Sequence, residues 1–394
     1  MTGPSDASLA DRIAADRGWI VARPSGGHRW GGEVRRQHVF ARLAERTDAT
    51  VIERWPLLRR RIVGRRWQLW RRAARPAPFL VSAEQVPPSW IGKLPELAIP
   101  IAVAIYDDPA AQLDAFGIRL TRERRAELVR RRALNVGAFH SLVVPTASFA
   151  ELTGLPRAQV IVGGNGTVAG RVTPAPWPTR PSIGMVSGAA PGRGIELLVE
   201  AARRLRADVP DLELWLWLVA PSDESAAYLT DLRRSVADAP WIRIGPAPYA
   251  RLGSILGRAG VLVIPHPPNS YMDVALPVKL FDSMAAGRPL VVTPRLEMAA
   301  VVRRHDAGLV AAGDTADDLA DACRRLLDDG PRARRLGEAG REAAMRHYDW
   351  PAVGARIAGA VLAREGLDGS YPGPVAVNGS EPSPGPDSSP TRSA

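Results

Sequence analysis

The sequence predicts an α/β protein of two domains, each built around a parallel β-sheet. Short apolar runs alternate with longer helical patterns over most of the 394 residues, which is typical of repeated βα units. A stretch with four prolines, residues 169–181, is expected to link the two domains. The predicted units are therefore residues 1–168, the linker 169–181, residues 182–350, a final helix over 351–366, and a Pro/Ser/Gly-rich tail over 367–394 that is expected to be disordered.

The first half contains six apolar runs that are predicted as strands, because each is bounded by glycine, proline or polar residues. A glycine-rich loop follows the first run and includes Gly31 and Gly32. Such a loop allows the backbone to approach a ligand closely, and it is equally compatible with an ordinary flexible βα connection. The predicted strands are 19–22, 49–55, 79–82, 99–106, 141–145 and 159–162.

The second half repeats the pattern after the linker. Its strands are predicted over 183–187, 212–219, 241–245, 261–265 and 290–293. Residues 266–276, rich in Pro, Asn, Ser and Asp, are predicted to form a loop throughout. Pro277 suits the first turn of a helix, and Gly287 suits its left-handed end.

Composition limits the possible partners and cellular settings. The net charge of +11 favours an anionic partner, namely a phosphorylated ligand, a nucleic acid or an anionic membrane, although a GC-rich genome also raises the arginine count. The single cysteine, Cys323, excludes a disulfide framework. With a polar N-terminus and no long apolar run, these features predict a cytoplasmic protein. The six scattered histidines predict no metal site.

Two segments of the second half carry residues suited to phosphate. The first is the turn after the strand at 183–187, where Gly188, Gly192 and Gly194 allow a tight loop and Arg193 offers charge-assisted hydrogen bonds. The second is the helix that begins after Pro277.

In that helix Lys279 lies in the first turn, where the backbone amides and the helix dipole also favour an anion. Asp282 follows one turn later and suits ribose hydroxyls. On spacing alone, a surface Lys–Asp pair explains these two residues at least as well.

An Arg- and Trp-rich segment, residues 54–75, is predicted to form a basic helix. Basic helices with aromatic residues are typical of proteins that bind the surface of anionic membranes. Packing of the apolar stripe on the sheet is an equally good explanation. RNA binding is less favoured, because no nucleic-acid motif accompanies the charge.

The run P-V-K-L-F-D-S-M-A-A-G-R-P, residues 277–289, resembles the donor-binding segment of GT-B glycosyltransferases, in particular retaining family 4 (glycosyl transferases group 1). Lys279 and Gly287 match the family pattern. Asp282 stands where the family usually has Glu, and Val274 stands where a second Glu is usual, with Asp273 as the neighbouring substitute.

Further resemblances involve both halves. Gly31-Gly32 is similar to the glycine entry of the family's N-terminal domain, and Tyr106-Asp107 stands where the family often has His-Asp facing the sugar. The turn with Arg193 resembles the family turn whose basic residue holds the diphosphate, and Gly188 occupies the place of the family's other arginine. Three positions thus depart from the pattern: Val274, Gly188 and Tyr106.

The resemblance implies a GT-B fold with two Rossmann-like domains facing across a cleft, and a final helix that crosses back to the first domain. It implies a glycosyltransferase that moves a sugar from a nucleotide-diphosphate sugar to a hydroxyl acceptor with retention, without a metal or other cofactor. Arg193, Lys279, Asp107 and Tyr106 would be catalytic. The donor would be bound by Gly188, Gly192, Gly194, Pro277, Val278, Asp282 and Asp273, with Gly31 and Gly32 near the acceptor and phosphates.

Three alternatives remain open from the sequence. One is a non-catalytic protein that keeps the fold as a binding or scaffolding module, which the three departures favour. Another is a nucleotide-sugar epimerase on the same fold, which needs a pair of acid/base carboxylates. The third is a basic RNA-binding protein, whose affinity would fall steeply with salt.

Overall fold

A computed structural model describes residues 20–22, 51–52, 79–82, 101–104, 119–138, 141–220, 222–248 and 251–364. The described strands form two parallel sheets, as the alternating pattern predicts, and each sheet has six strands. Several predicted features lie outside the described residues: Gly31, Gly32, Tyr106, Asp107, the basic segment 54–75 and the tail 367–394.

The first sheet has the strand order β2-β1-β3-β4-β5-β6. Its described elements are β1 (Ile20–Ala22), β2 (Val51–Ile52), β3 (Phe79–Ser82), β4 (Ile101–Ala104), α1 (Arg122–Ala138), β5 (Ser141–Val144), α2 (Ala147–Leu152) and β6 (Val160–Val162).

The second sheet has the order β12-β11-β10-β7-β8-β9. Its strands are β7 (Ser182–Gly188), β8 (Glu213–Val219), β9 (Ile242–Pro246), β10 (Val261–Ile264), β11 (Leu290–Val292) and β12 (Gly308–Val310). The helices of this half are α3 (Ile195–Asp208), α4 (Asp223–Ser235), α5 (Leu252–Leu256), α6 (Ser270–Val274), α7 (Val278–Ala285), α8 (Leu296–Arg304), α9 (Ala316–Leu327), α10 (Gly330–His347) and α11 (Trp350–Arg364).

Helices cover both faces of the second sheet, and each face has its own apolar core. Leu198, Leu216 and Leu319 are fully buried on one face. Leu256 and Phe281 are fully buried on the other. Because both faces are covered, most of these strands read as continuous apolar runs, and the sequence predicts five of the six. The exception is β12, a three-residue strand at the edge of the sheet whose residues are only partly buried.

The expectation of a loop throughout 266–276 is wrong, because residues 270–274 form the short helix α6. The Asn269 side chain accepts a hydrogen bond from the Met272 amide at 2.8 Å and thereby caps this helix. Polar residues that favour a loop in a sequence also favour helix N-caps, so the two are easily confused.

The last helix, α11, packs against β6 of the first sheet. A methyl group added at Gly163, directly after β6, would lie 2.9 Å from Ile357 Cδ1. The chain enters α11 beside Thr167, whose amide donates to Tyr348 O at 2.8 Å and whose carbonyl accepts from the Trp350 amide at 2.9 Å.

The proline-rich stretch lies on the second domain and is held there by a buried arginine. The Arg288 side chain is 2% exposed and donates to the carbonyl oxygens of Gly257 and Ala259 at 2.9 and 3.0 Å. It also donates to the carbonyl oxygens of Ala175 and Pro176 at 2.9 and 2.7 Å. These bonds tie the stretch to the end of α5 and give it a defined path.

We expect Arg288→Met to lower the free energy of unfolding by about 2–4 kcal/mol, because a buried charged donor with four acceptors is lost. Urea unfolding measures this value. Arg335→Met removes an exposed guanidinium of α10 and should change stability by less than about 0.5 kcal/mol. Equal effects of the two substitutions would contradict the proposed role of Arg288.

Candidate functional site

The strand order of the second sheet reverses between β10 and β7, so a crevice opens at the carboxyl ends of these two strands. In open α/β sheets ligands bind at this position. Three segments meet there: the loop from β7 to α3, the residues after β10, and the N-terminus of α7. They contain Arg193, His266 and Lys279.

The loop after β7 depends on two glycines with positive φ. Gly192 has φ +70° and Gly194 has φ +77°, so Arg193 lies between two left-handed residues. A methyl group at Gly194 would lie 1.7 Å from the Pro265 carbonyl oxygen, which only a glycine avoids. The loop therefore packs directly on the end of β10. Gly188 has open space around it and does not share this constraint.

Helix α7 presents its N-terminus to the same crevice. Pro277, with φ −73°, occupies the N-cap position and Val278 is the first helical residue. No side chain among the described residues caps this end, so the amides of the first turn keep their capacity to bind an anion.

Lys279 reaches across the crevice towards β7. Its ammonium lies 3.5 Å from Ser187 Oγ, near the end of that strand. Burial, together with the smaller effect of the positive charge of Arg193, lowers the pKa of Lys279 to about 7. A negative ligand would offset both effects, because it would supply a counter-charge to the ammonium.

His266 directly follows Pro265 and is 2% exposed. Its backbone carbonyl accepts from Thr293 Oγ1 at 2.7 Å, whereas neither ring nitrogen has a hydrogen-bond partner in the part of the chain that is described. Burial lowers the pKa of His266 well below its ordinary value, and Lys279, Arg193 and Arg295 add to this effect. The ring is therefore neutral, and its unmet polar groups cost about 1–3 kcal/mol.

Asp282 lies below the crevice, at the junction between the domains. Its carboxylate is 5% exposed and accepts from Thr167 Oγ1 at 2.6 Å. Burial raises the pKa of Asp282 to about 7, and the hydrogen bond from Thr167 opposes this rise. In this position Asp282 joins α7 to the segment that connects β6 with the second domain.

Two further bonds strengthen this junction. Thr146 Oγ1 donates to the Val274 carbonyl at 3.3 Å, and the Asn165 amide donates to the Leu276 carbonyl. The segment between α6 and α7 is therefore anchored to residues at the ends of β5 and β6. These contacts fix the start of α7 relative to the first sheet.

Asp273 has a different partner. It lies in α6 and forms an ion pair with the buried Arg295, with Nη1 and Oδ1 separated by 3.0 Å. Arg295 also binds Asp314 with Nη2 2.6 Å from its carboxylate. Because its carboxylate is held by Arg295, Asp273 acts first as an anchor for the start of α8.

The structure thus brings together most of the predicted donor-site residues of the second domain. Arg193, Lys279, Gly192 and Gly194 converge with the N-terminus at Pro277 and Val278. His266 and Ser187 were missed by the sequence reasoning. The available signal was their position at the ends of two predicted strands. Ser187 is the last residue of the predicted strand 183–187, and His266 directly follows the predicted strand 261–265. Among the described residues, no group of three His, Cys, Asp or Glu side chains could hold a metal ion.

Comparison with known proteins shows what the second domain is similar to. Residues 180–329 match the family model described as glycosyl transferases group 1. D-inositol 3-phosphate glycosyltransferase of Corynebacterium aurimucosum is 27% identical over 169 residues, which is 42% of this chain and 39% of the relative. A GDP-mannose-dependent alpha-(1-6)-phosphatidylinositol monomannoside mannosyltransferase of Mycobacterium tuberculosis is 30% identical, over 45% of this chain and 46% of the relative. The match thus spans less than half the length of these relatives.

Solved structures resemble both domains. Sucrose-phosphate synthase from Thermosynechococcus elongatus superposes with a TM-score of 0.61 at 14% identity, over 88% of this chain and 98% of its own. Anabaena HepE, in complex with UDP and glucose, has a TM-score of 0.61 at 12% identity, over 88% of this chain and 99% of its own. These likenesses show that the fold is GT-B.

We expect Gly194→Ala to destabilise the protein by about 1–3 kcal/mol, because the residue has a positive φ and the methyl group meets the Pro265 carbonyl. Gly188→Ala is the matched control, since no described heavy atom lies within 4 Å of the added methyl group. Thermal unfolding compares the two variants. If Gly188→Ala were the more harmful, the close approach would not limit this loop.

Asp282 should make stability depend on pH. Between about pH 4 and its folded pKa of about 7, the folded protein retains a proton that the unfolded chain has lost, so stability falls as pH rises through this window. Asp282→Asn keeps an acceptor for Thr167 and removes the charge.

Relative to this variant, we expect the wild type to lose about 2–4 kcal/mol between about pH 5 and pH 8, measured by urea unfolding. Asp238→Asn, at an exposed carboxylate, is the control for surface charge. Parallel stability curves for wild type and Asp282→Asn would contradict the assignment.

Proposed function

We propose that this protein is a glycosyltransferase that moves a sugar from a nucleotide-diphosphate sugar to a hydroxyl acceptor, with retention and without a metal. The observation that carries the proposal is the convergence of Arg193, Lys279 and the uncapped N-terminus of α7 at the sheet switch point. The related mannosyltransferase is named as GDP-mannose-dependent, and HepE was solved with UDP and UDP-glucose. Both support a nucleotide sugar as the donor.

The proposed chemistry is stabilisation of the leaving group. The bond between the anomeric carbon and the diphosphate oxygen breaks, and its electron pair stays on the diphosphate. Arg193, Lys279 and the amides at the start of α7 hold this growing negative charge. Because these groups are already in place before the reaction, little reorganisation opposes the transition state. The acceptor oxygen forms the new bond to the anomeric carbon, and its proton passes to the departing phosphate on the same face.

The remaining predicted residues take supporting roles in this proposal. In the sequence, Tyr106 and Asp107 come after β4, and Gly31 and Gly32 come after β1. We propose that these residues, which lie outside the described part of the chain, belong to the carboxyl edge of the first sheet. There they would face the sugar, the acceptor or the phosphates across the cleft. Asp282 would orient the donor chiefly by fixing α7 through Thr167. Its proposed ribose contact requires that the buried carboxylate become accessible when the donor binds.

The acceptor and the location of the protein belong to the proposal as well. We propose a glycan, glycolipid or small molecule as acceptor and a cytoplasmic enzyme that can associate with the inner face of the membrane through residues 54–75. Among the described helices, none is long and apolar enough to cross a bilayer.

A non-catalytic binding protein is the second candidate, and Val274 is the observation that favours it. This residue stands where the family usually has Glu, and its side chain is 7% exposed. An acidic contact to the donor is therefore missing at this position. A protein of this kind would bind nucleotide and release none from a nucleotide sugar. An epimerase would instead need an acid/base pair of carboxylates near the sugar.

We expect one donor among UDP-, GDP- and ADP-sugars to yield free nucleotide, and Lys279→Ala to lower kcat/KM for that donor by about 10²–10³-fold. Lys279→Arg should retain part of the rate, since it keeps the charge. Arg335→Ala, at an exposed position of α10, is the control. Nucleotide release is measured with and without cell lipid extract.

Two results would contradict the transferase proposal. One is no turnover of any donor together with nucleotide binding, which would favour the non-catalytic candidate. The other is turnover that Lys279→Ala leaves unchanged. Dependence on lipid extract would support a membrane acceptor.

A further inference from the structure

The imidazole of His266 is buried, and both of its nitrogens lack hydrogen-bond partners among the described residues. His266 comes just after β10 and directly follows Pro265, whose carbonyl oxygen Gly194 approaches closely. We propose that His266 is a third binding group for the diphosphate, and that its imidazole takes up a proton when the diphosphate enters. This inference rests on the proposed function, because it adds a residue to the same site.

The backbone around His266 is held in place on both sides. Pro265 packs against Gly194, and the His266 carbonyl accepts from Thr293 Oγ1 at 2.7 Å. Thr293 follows β11, the neighbouring strand. The ring is therefore attached to a rigid part of the sheet edge, which is a suitable base for a ligand contact.

The charged groups that act on the ring come from three elements. Lys279 belongs to α7, Arg193 to the loop after β7, and Arg295 precedes α8. Arg295 is bound by the carboxylates of Asp273 and Asp314, so its charge is balanced within the protein. Both nitrogens of the ring lack hydrogen-bond partners among the described residues.

A buried histidine without hydrogen-bond partners, next to cations, does not stabilise the folded protein. Burial and charge repulsion both keep its imidazole neutral. A diphosphate changes this balance. Its negative charges offset Lys279 and Arg193, and its oxygens are hydrogen-bond acceptors. The imidazole can then bind a proton from solvent and donate an N–H to a phosphate oxygen. When the diphosphate leaves, the proton returns to solvent.

Lys279 can also take up a proton at this site when the diphosphate binds, and it should do so at a different pH from His266. Its pKa of about 7 in the free protein means that it is largely neutral well above that pH and charged well below it. Diphosphate binding at about pH 8 should therefore protonate Lys279, whereas binding at about pH 6 should protonate His266. The two residues can be distinguished by the pH at which uptake occurs.

The test is isothermal titration calorimetry of UDP, GDP and ADP in buffers with different ionisation enthalpies, at about pH 6 and pH 8. The wild type is compared with His266→Gln and Lys279→Arg. Glutamine can still donate a hydrogen bond but cannot be protonated, and arginine stays charged at both pH values. The comparison between variants cancels the titration of the nucleotide phosphates, which is common to all three proteins.

We expect His266→Gln to take up fewer protons than the wild type near pH 6 and the same number near pH 8, with Lys279→Arg showing the reverse. The affinity advantage of the wild type over His266→Gln should be about tenfold larger at the lower pH. Melting temperatures show whether each variant is folded, and His266→Asn replaces the Gln variant if that one unfolds.

Equal proton uptake by wild type and His266→Gln at both pH values would overturn the inference and leave the proposed function intact, since nucleotide would still bind. If the wild type bound neither UDP, GDP nor ADP, the proposed function would fail, and the role of His266 would fail with it.

Discussion

The close packing of Gly194 on the Pro265 carbonyl determines the geometry on which the site depends. With a side chain at Gly194, the loop after β7 would have to move away from the end of β10. Arg193 belongs to that loop, and His266 follows Pro265. The backbone contact therefore sets the separation between these two residues, and the adjacent N-terminus of α7 adds Lys279. A requirement of backbone packing thus assembles a cluster of basic groups.

This cluster is unfavourable for the free protein and favourable for an anionic ligand. The pKa of Lys279 and that of His266 are both lowered, since burial and neighbouring positive charge oppose protonation. The same free energy is recovered when a diphosphate supplies the missing negative charge. Such a trade-off between stability and function is common where charged groups are arranged in advance for binding or catalysis. Asp282 does not belong to this cluster of basic groups, because its buried carboxylate is bound by Thr167 at the domain junction.

Much of the fold and part of the site follow from local sequence. Buried strands read as apolar runs, and the residues after them, such as Arg193 and Lys279, lie at one sheet edge because parallel strands end together. Contacts between residues far apart in the sequence could not be predicted in this way. The Thr167–Asp282 bond joins residues 115 positions apart, and nothing near Asp282 in the sequence indicates it. Arg288 reads as one more surface arginine in a basic chain, yet it is buried and binds four carbonyl oxygens.

The most direct test of the central claim is a comparison of affinities among nucleosides, nucleoside monophosphates and nucleoside diphosphates, with inorganic pyrophosphate as a competitor. If the basic crevice recognises the diphosphate, affinity should rise by about tenfold or more with each added phosphate, and pyrophosphate should displace the nucleotide. Equal affinity for the nucleoside and its diphosphate, with no displacement by pyrophosphate, would contradict the account. The crevice between β7 and β10 would then have another purpose.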